Sequence, residues 1–141
     1  MSDVETLALG KSVTKFNGLQ VLVREGTPLL QWTANCAEFT CRCPVTGQPD
    51  YASIEIVILS NSKKEIRFIE TKTLKLFLEA FRDRGIFHED LAEEICARLF
   101  SAVEGKNPVR VLVRFNQRGG IGVEALAMLS PETSTKKKGE K

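Results

Sequence analysis

Apolar and polar residues alternate along much of the chain. Val109, Val111, Val113 and Phe115 share one side of the run from Val109 to Phe115, with Arg110 and Arg114 on the other. Ile54, Ile56 and Ile58 repeat the pattern in Ser53 to Leu59, as do Ile66 and Phe68 in Glu65 to Glu70. A period of two predicts strands with one buried face. The polar Asn61-Ser62-Lys63-Lys64 between the last two reads as a hairpin turn. Leu19 to Val23 and Leu29 to Thr33 read as two shorter strands joined by a turn at Arg24-Glu25-Gly26-Thr27-Pro28. A last strand is expected from about Ile121 to Leu129.

Two segments follow a helical period instead. Leu74, Phe77, Leu78 and Phe81 recur within Thr71 to Arg84, and Gly85 is a natural stop. Leu91, Ala92, Ile95, Leu99 and Val103 form a stripe in Glu89 to Glu104, ended by Gly105 and Pro108. Glu89, Asp90, Glu93 and Glu94 crowd the first turns of that helix, where its dipole favours negative charge. Strands, two consecutive helices and further strands predict an α+β fold: an antiparallel sheet with both helices on one face. No internal repeat is visible. One domain over residues 1–135 and a lysine-rich disordered tail over 136–141 are expected.

Composition narrows the class. A chain of 141 residues suits one compact core, and its apolar and charged fractions are those of a soluble protein. No run is long enough to span a bilayer, and MSDVETLALG lacks the basic and apolar regions of a secretory signal. A cytoplasmic location, with no membrane partner, is the expectation. The net charge of +2 belongs to the tail: without its four lysines and one glutamate the body carries 16 basic and 17 acidic residues. No broad basic face is left to bind nucleic acid, so none is expected as a direct partner. The cysteines are Cys36, Cys41, Cys43 and Cys96, and the only histidine is His88. Two close cysteine pairs, the usual mark of structural zinc, are missing, and no metal site is expected.

Several stretches carry candidate chemistry. In Cys41-Arg42-Cys43-Pro44-Val45-Thr46-Gly47-Gln48-Pro49-Asp50, Cys43 lies between an arginine and a proline in a polar turn. A neighbouring guanidinium favours the thiolate, and Asp50 on a folded loop could act as proton donor or acceptor. A plain turn with a cysteine in it fits the spacing as well. His88 and Glu89 open the second helix, either as surface and dipole partner or at a pocket edge. Lys72 and Lys75 share a helix face near a helix start, where free backbone N–H groups can assist phosphate binding. Arg118 beside Gly119 and Gly120 forms a hairpin turn or a phosphate grip.

Together these stretches resemble one family. Glu38-Phe39-Thr40 followed by Cys43-Pro44-Val45-Thr46-Gly47-Gln48-Pro49-Asp50-Tyr51-Ala52 resembles the signature of NADPH-dependent 7-cyano-7-deazaguanine reductases, the nitrile reductases of queuosine biosynthesis. Glu70-Thr71-Lys72-Thr73-Leu74-Lys75-Leu76-Phe77 resembles that family's cofactor-associated motif. Phe81-Arg82, Phe87-His88-Glu89-Asp90 and Arg118-Gly119-Gly120-Ile121 match in the same order. The resemblance covers roughly residues 37 to 123, and departs from the usual motif at Thr71 and Thr73.

The resemblance implies a tunnelling fold whose subunits assemble through their sheets into a β-barrel. It implies a homo-oligomer, for chains of this length two stacked rings, often pentameric, with active sites between subunits. The implied substrate is 7-cyano-7-deazaguanine, reduced to the 7-aminomethyl base by two NADPH. Cys43 would add to the nitrile carbon as a thioimide, Asp50 would protonate the nitrogen, and His88 would assist. Ile69, Glu70, Thr71, His88 and Glu89 would hold the base; Thr71, Lys72, Lys75, Arg118 and Gly119 would hold NADPH. No Rossmann glycine fingerprint is present, so the dinucleotide needs this other arrangement. Rivals are a same-fold enzyme that forms an amidine from the nitrile on tRNA, a non-catalytic purine- or pterin-binding relative, and a zinc-dependent cyclohydrolase. The lysine motif argues against the first and the single histidine against the last.

Overall fold

The computed structural model describes residues 15–131. The lysine-rich tail over 136–141 lies outside the described residues. Among the described residues six strands and two helices follow in the order β1 Val21–Arg24, β2 Gln31–Arg42, β3 Pro49–Leu59, β4 Ile66–Ile69, α1 Thr71–Glu79, α2 His88–Ala102, β5 Val109–Phe115 and β6 Glu124–Leu129. β2, β3, β5 and β6 form an antiparallel sheet in that order, and β1 pairs with β4 in a separate ribbon.

The period-two pattern sets the buried face. Ile54, Ile56 and Ile58 of β3 lie beside Val113, Val111 and Val109 of β5, and all are buried. Both helices cover this face, α2 against β5 and β6, and α1 against β2. Leu74, Phe77 and Leu78 of α1 and Leu91, Ile95 and Leu99 of α2 complete the core. The α+β expectation of an antiparallel sheet with two helices on one face therefore holds.

The strand pairings differ from the expected hairpins. The runs near Leu19–Val23 and Leu29–Thr33 do not pair with each other: β1 lies on β4, Val21 opposite Ile69. Nor does Glu65–Glu70 fold back on Ser53–Leu59. The turn forms, with Asn61 N–H donating to Glu65 O and Lys64 N–H to Asn61 O, but β4 then leaves the main sheet. Asn107 holds it there. Its fully buried amide donates to Leu59 O at 2.9 Å and Glu65 O at 2.8 Å, and accepts from Arg67 N–H at 3.1 Å.

Beside the expected β5–β6 hairpin, the true hairpin is β2–β3, around residues 43–48. Its first strand hides in the sequence because a bulge breaks its alternation. Cys36 faces Ile54 and Phe39 faces Ala52, so one extra residue sits on β2. α1 stops at Glu79, short of Arg84, and tighter i to i+3 turns at 78–84 keep Phe81 in the core. β6 begins at Glu124, because 116–123 are taken up by the turn carrying Arg118, Gly119 and Gly120.

Candidate active site

The 43–48 turn is built from backbone bonds that proline and glycine permit. Cys43 N–H donates to Gln48 O at 2.8 Å, and Gly47 N–H to Cys43 O at 2.9 Å. Gly47 takes φ +73°, a region that costs glycine nothing. Arg42 ties the turn to the segment between the helices. Its guanidinium donates to Gly47 O at 2.9 Å and pairs with Asp83 at 3.2 Å. Its backbone N–H donates to Arg84 O, and Ile86 N–H donates to its carbonyl. The turn that carries Cys43 is thereby fastened to the chain that enters α2.

Half-buried Cys43 is the one cysteine with a lowered thiol pKa among the described residues. A hydrogen bond from the Thr46 side chain contributes most, followed by the backbone N–H groups of Thr46 and Val45. These groups stabilise the thiolate. Desolvation and the charge of Asp50 oppose them. The other three cysteines go the opposite way. Burial pushes Cys41 and Cys96 up to about 11 and raises Cys36 as well.

Asp50 lies at the start of β3, opposite Cys41 of β2, and is 3% exposed. Arg118 clasps its Oδ1 and also donates to Pro49 O at 2.7 Å. His88 Nε2 stands 3.6 Å from its Oδ2. The imidazole stacks on Phe115 of β5, ring centroids 3.6 Å apart and planes 13° from parallel. One carboxylate is thus held between a guanidinium and an imidazole, on the strand that follows the Cys43 turn. A buried carboxyl group needs such hydrogen-bonding partners. The set offers a nucleophile, a carboxyl group and a proton-carrying ring.

Of the other predicted residues, Ile69, Glu70, Thr71, Lys72 and Lys75 gather around the start of α1. Glu70 caps the helix, its carboxylate accepting from Lys72 N–H at 3.0 Å and Thr73 N–H at 2.8 Å. Thr73 Oγ1 donates to Glu70 O and accepts from Gln20 N–H. Ile69 is buried at the end of β4, whereas Thr71, Lys72 and Lys75 are exposed. Thr71 and Lys75 line a groove of about 840 Å³ between α1 and the bulged part of β2, with Asn35, Glu38 and Arg82. Lys75 and nearby Lys72 are cationic donors that suit phosphate groups, while Arg82 in the same groove pairs with Glu79 at 3.2 Å. Glu89 is exposed on the first turn of α2.

The structure therefore brings Cys43, Asp50, His88 and Arg118 to one place, and Glu70, Thr71, Lys72 and Lys75 to another. No hydrogen bond or ion pair links the two groups among the described residues. Arg118, expected at a cofactor, is on Asp50 here. Phe115 and Thr46 were not singled out by the sequence. Phe115 reads there as ordinary core, and Thr46 as turn chemistry. Among the described residues no three His, Cys, Asp or Glu side chains converge as metal ligands, and no helix is long and apolar enough to cross a membrane.

The chain is similar in sequence and in fold to known proteins. The sequence model of a family described as "QueF-like protein" matches residues 49–134. The chain is 52% identical over 93 residues to an NADPH-dependent 7-cyano-7-deazaguanine reductase of Frankia casuarinae, covering 64% of this chain and 69% of that protein. It is 39% identical over 107 residues to one of Staphylococcus epidermidis, covering 75% and 61%. One of Bacteroides fragilis is 43% identical over 89 residues, covering 63% and 56%. The matches thus span from just over half to about two thirds of these relatives. Among solved structures, the apo form of an archaeosine synthase, QueF-Like, superposes with a TM-score of 0.62 at 20% identity, over 74% of this chain and 97% of that one. That likeness is one of fold.

Proposed function

Since the chain belongs to the QueF-like family, we propose that it is an NADPH-dependent reductase that converts the nitrile of 7-cyano-7-deazaguanine to a primary amine. The supporting observation is the Cys43 turn: a thiol with a lowered pKa fastened beside the Asp50–His88 pair. The relatives named above carry this activity in their names.

Each residue has a role that its surroundings support. The Cys43 thiolate would add to the nitrile carbon, giving a covalent thioimide and splitting a hard reduction into easier steps. The nitrile nitrogen gains a proton as the C–S bond forms. Asp50, in its protonated form, would supply it, with His88 as the adjoining proton carrier. Glu89 would accept the ring N–H groups, and Ile69, Glu70 and Thr71 would line the base pocket. Thr71, Lys72 and Lys75 would hold NADPH, with Arg118 and Gly119 closing on it from the β5–β6 turn. The cofactor supplies hydride, and four electrons from nitrile to amine require two NADPH per turnover. Cys43 leaves again as thiolate before the second reduction.

The same reading extends to assembly. Among the described residues β2 and β6 each pair on one side only, so both edges of the sheet present open backbone groups there. A barrel formed by joining these edges between subunits would satisfy them. It would also bring the Cys43 group of one subunit to the α1 group of another, completing a site that one chain leaves in two parts.

The test is to mix purified protein with 7-cyano-7-deazaguanine and NADPH and follow the nicotinamide absorbance, with Cys43→Ala as control. Two NADPH consumed per nitrile, and none in the variant, is the expected result. A stable thioimide by intact mass without NADPH consumption would instead place the chain with the amidine-forming enzymes. Folded protein giving neither would overturn the reading.

A further inference from the structure

We propose that Gly85 is a positioning residue, whose missing side chain sets how closely the turn carrying Cys43 seats against the segment that leads into the helix carrying His88. This rests on the roles proposed above for those two residues.

The contact is between backbones. Arg42 and Gly85 form an isolated parallel bridge, with Arg42 N–H on Arg84 O at 2.8 Å and Ile86 N–H on Arg42 O at 3.1 Å. A Cβ placed on Gly85 would lie 3.1 Å from Pro44 Cα, and 3.5 Å from Pro44 Cβ. Cα cannot swing aside as a side-chain tip can, so the turn itself must retreat by a few tenths of an ångström. Gly85 does not have the positive φ that Gly47, Gly105, Gly119 and Gly120 show. Glycine is needed here for closeness and not for conformation.

What the retreat disturbs is specific. Pro44 is bonded directly to Cys43, and the groups that stabilise the thiolate are the Thr46 hydroxyl and the N–H groups of Val45 and Thr46 in the same turn. Three residues beyond Gly85, His88 meets Asp50. The bridge therefore fixes nucleophile and proton carrier with respect to each other. A misplacement of about 1 Å costs a reaction roughly a hundredfold, so a few tenths corresponds to about three- to tenfold.

The experiment is Gly85→Ala, read by the pH dependence of Cys43 alkylation with iodoacetamide, mapped by peptide mass spectrometry, alongside melting temperature and kcat. The expected result is an alkylation profile moved to higher pH, toward that of an ordinary thiol, with kcat lowered about three- to tenfold and the melting temperature little changed. Gly105→Ala is the comparison: it strains a φ of +65° far from the turn. It should lower stability and leave the Cys43 profile in place. An unchanged profile in Gly85→Ala overturns the proposal, as does an equal shift in Gly105→Ala. Should Gly85→Ala fail to fold, Arg42→Lys, which keeps the positive charge beside Cys43 but gives up the paired hold on Gly47 O and Asp83, is read the same way: a shifted profile supports the proposal and an unchanged one overturns it. Alkylation needs neither nitrile nor NADPH. If Gly85→Ala shifts the profile but the wild type consumes no NADPH, the reductase reading fails and the positioning role stands.

Discussion

Replacing Asn107 by alanine should cost about 3 kcal/mol of stability. Three hydrogen bonds disappear, to Leu59 O, Glu65 O and from Arg67 N–H. Each is worth roughly 1 kcal/mol net when water can reach the groups left behind, and more when it cannot. Leu59 is partly exposed and Glu65 half-buried, so the lower figure applies. For a chain of this size about 3 kcal/mol corresponds to roughly 6–12 °C in melting temperature. Urea unfolding at fixed protomer concentration measures it, because association would itself shift the midpoint. Asn107→Asp is a sharper form of the test. It keeps the acceptor for Arg67 but sets a carboxylate against two carbonyls at 2.8–2.9 Å. Near neutral pH it should be less stable than the alanine variant, and recover as pH falls and the acid becomes a donor to one of them. Amide exchange at Arg67 should quicken in the alanine variant, which removes its acceptor. A loss below about 1 kcal/mol in the alanine variant would refute the clamp, since even three solvent-compensated bonds exceed it.

Other outcomes follow from the site and its surroundings. Cys43 should be alkylated at neutral pH while Cys41 and Cys96, pushed up to about 11, stay unmodified; Thr46→Val should move the Cys43 profile to higher pH by removing the largest stabiliser of its thiolate. Asp50→Asn should lower NADPH consumption by about a hundredfold or more yet leave Cys43 reactive, a split that alkylation and absorbance read separately. Arg84 holds the Glu94 carboxyl below its ordinary range through paired bonds at 2.6 and 3.0 Å. The stabilisation is present above the unfolded carboxylate pKa and lost as pH falls through the depressed folded one. Because both groups are partly exposed, Glu94→Gln should cost under about 1 kcal/mol at pH 7, measured by urea unfolding, and nothing at low pH.

Residues that obey a single local rule were readable from the sequence. β5 matches its expected bounds because Val109 to Phe115 alternates without interruption. Both helices appear where their stripes place them, since packing on one sheet face demands that stripe. Pairing partners were not readable. β1 chooses β4 over its neighbour because Asn107, some forty residues further along the chain, pins Arg67, and no local pattern announces that. The site divides the same way. Cys43 and Asp50 lie on one hairpin, and their motif could be seen. The meeting of His88, Asp50 and Arg118 depends on the register of three separate segments and on the stack with Phe115. Only the folded chain discloses it.

The bulge in β2 gives the strand two halves of opposite parity. Trp32, Ala34 and Cys36 turn toward the helices on even numbers; Phe39 and Cys41 do so on odd ones. Each added or removed residue rotates everything downstream by half a turn. Between Phe39 and Asp50 the chain length is consequently counted, not merely bounded. Losing Ala37 or Glu38 would only straighten the bulge and leave Phe39 inward, whereas losing Thr40 would turn Cys41 outward and displace the turn that carries the nucleophile, although no chemical group of the site had been altered. The connection from Glu25 to Leu30 feeds no such count, and among the described residues only Thr27 N–H on Lys64 O and Ser60 N–H on Leu30 O tie its backbone to the neighbouring turn. In a lineage of such chains, insertions would collect in the second place and be absent from the first.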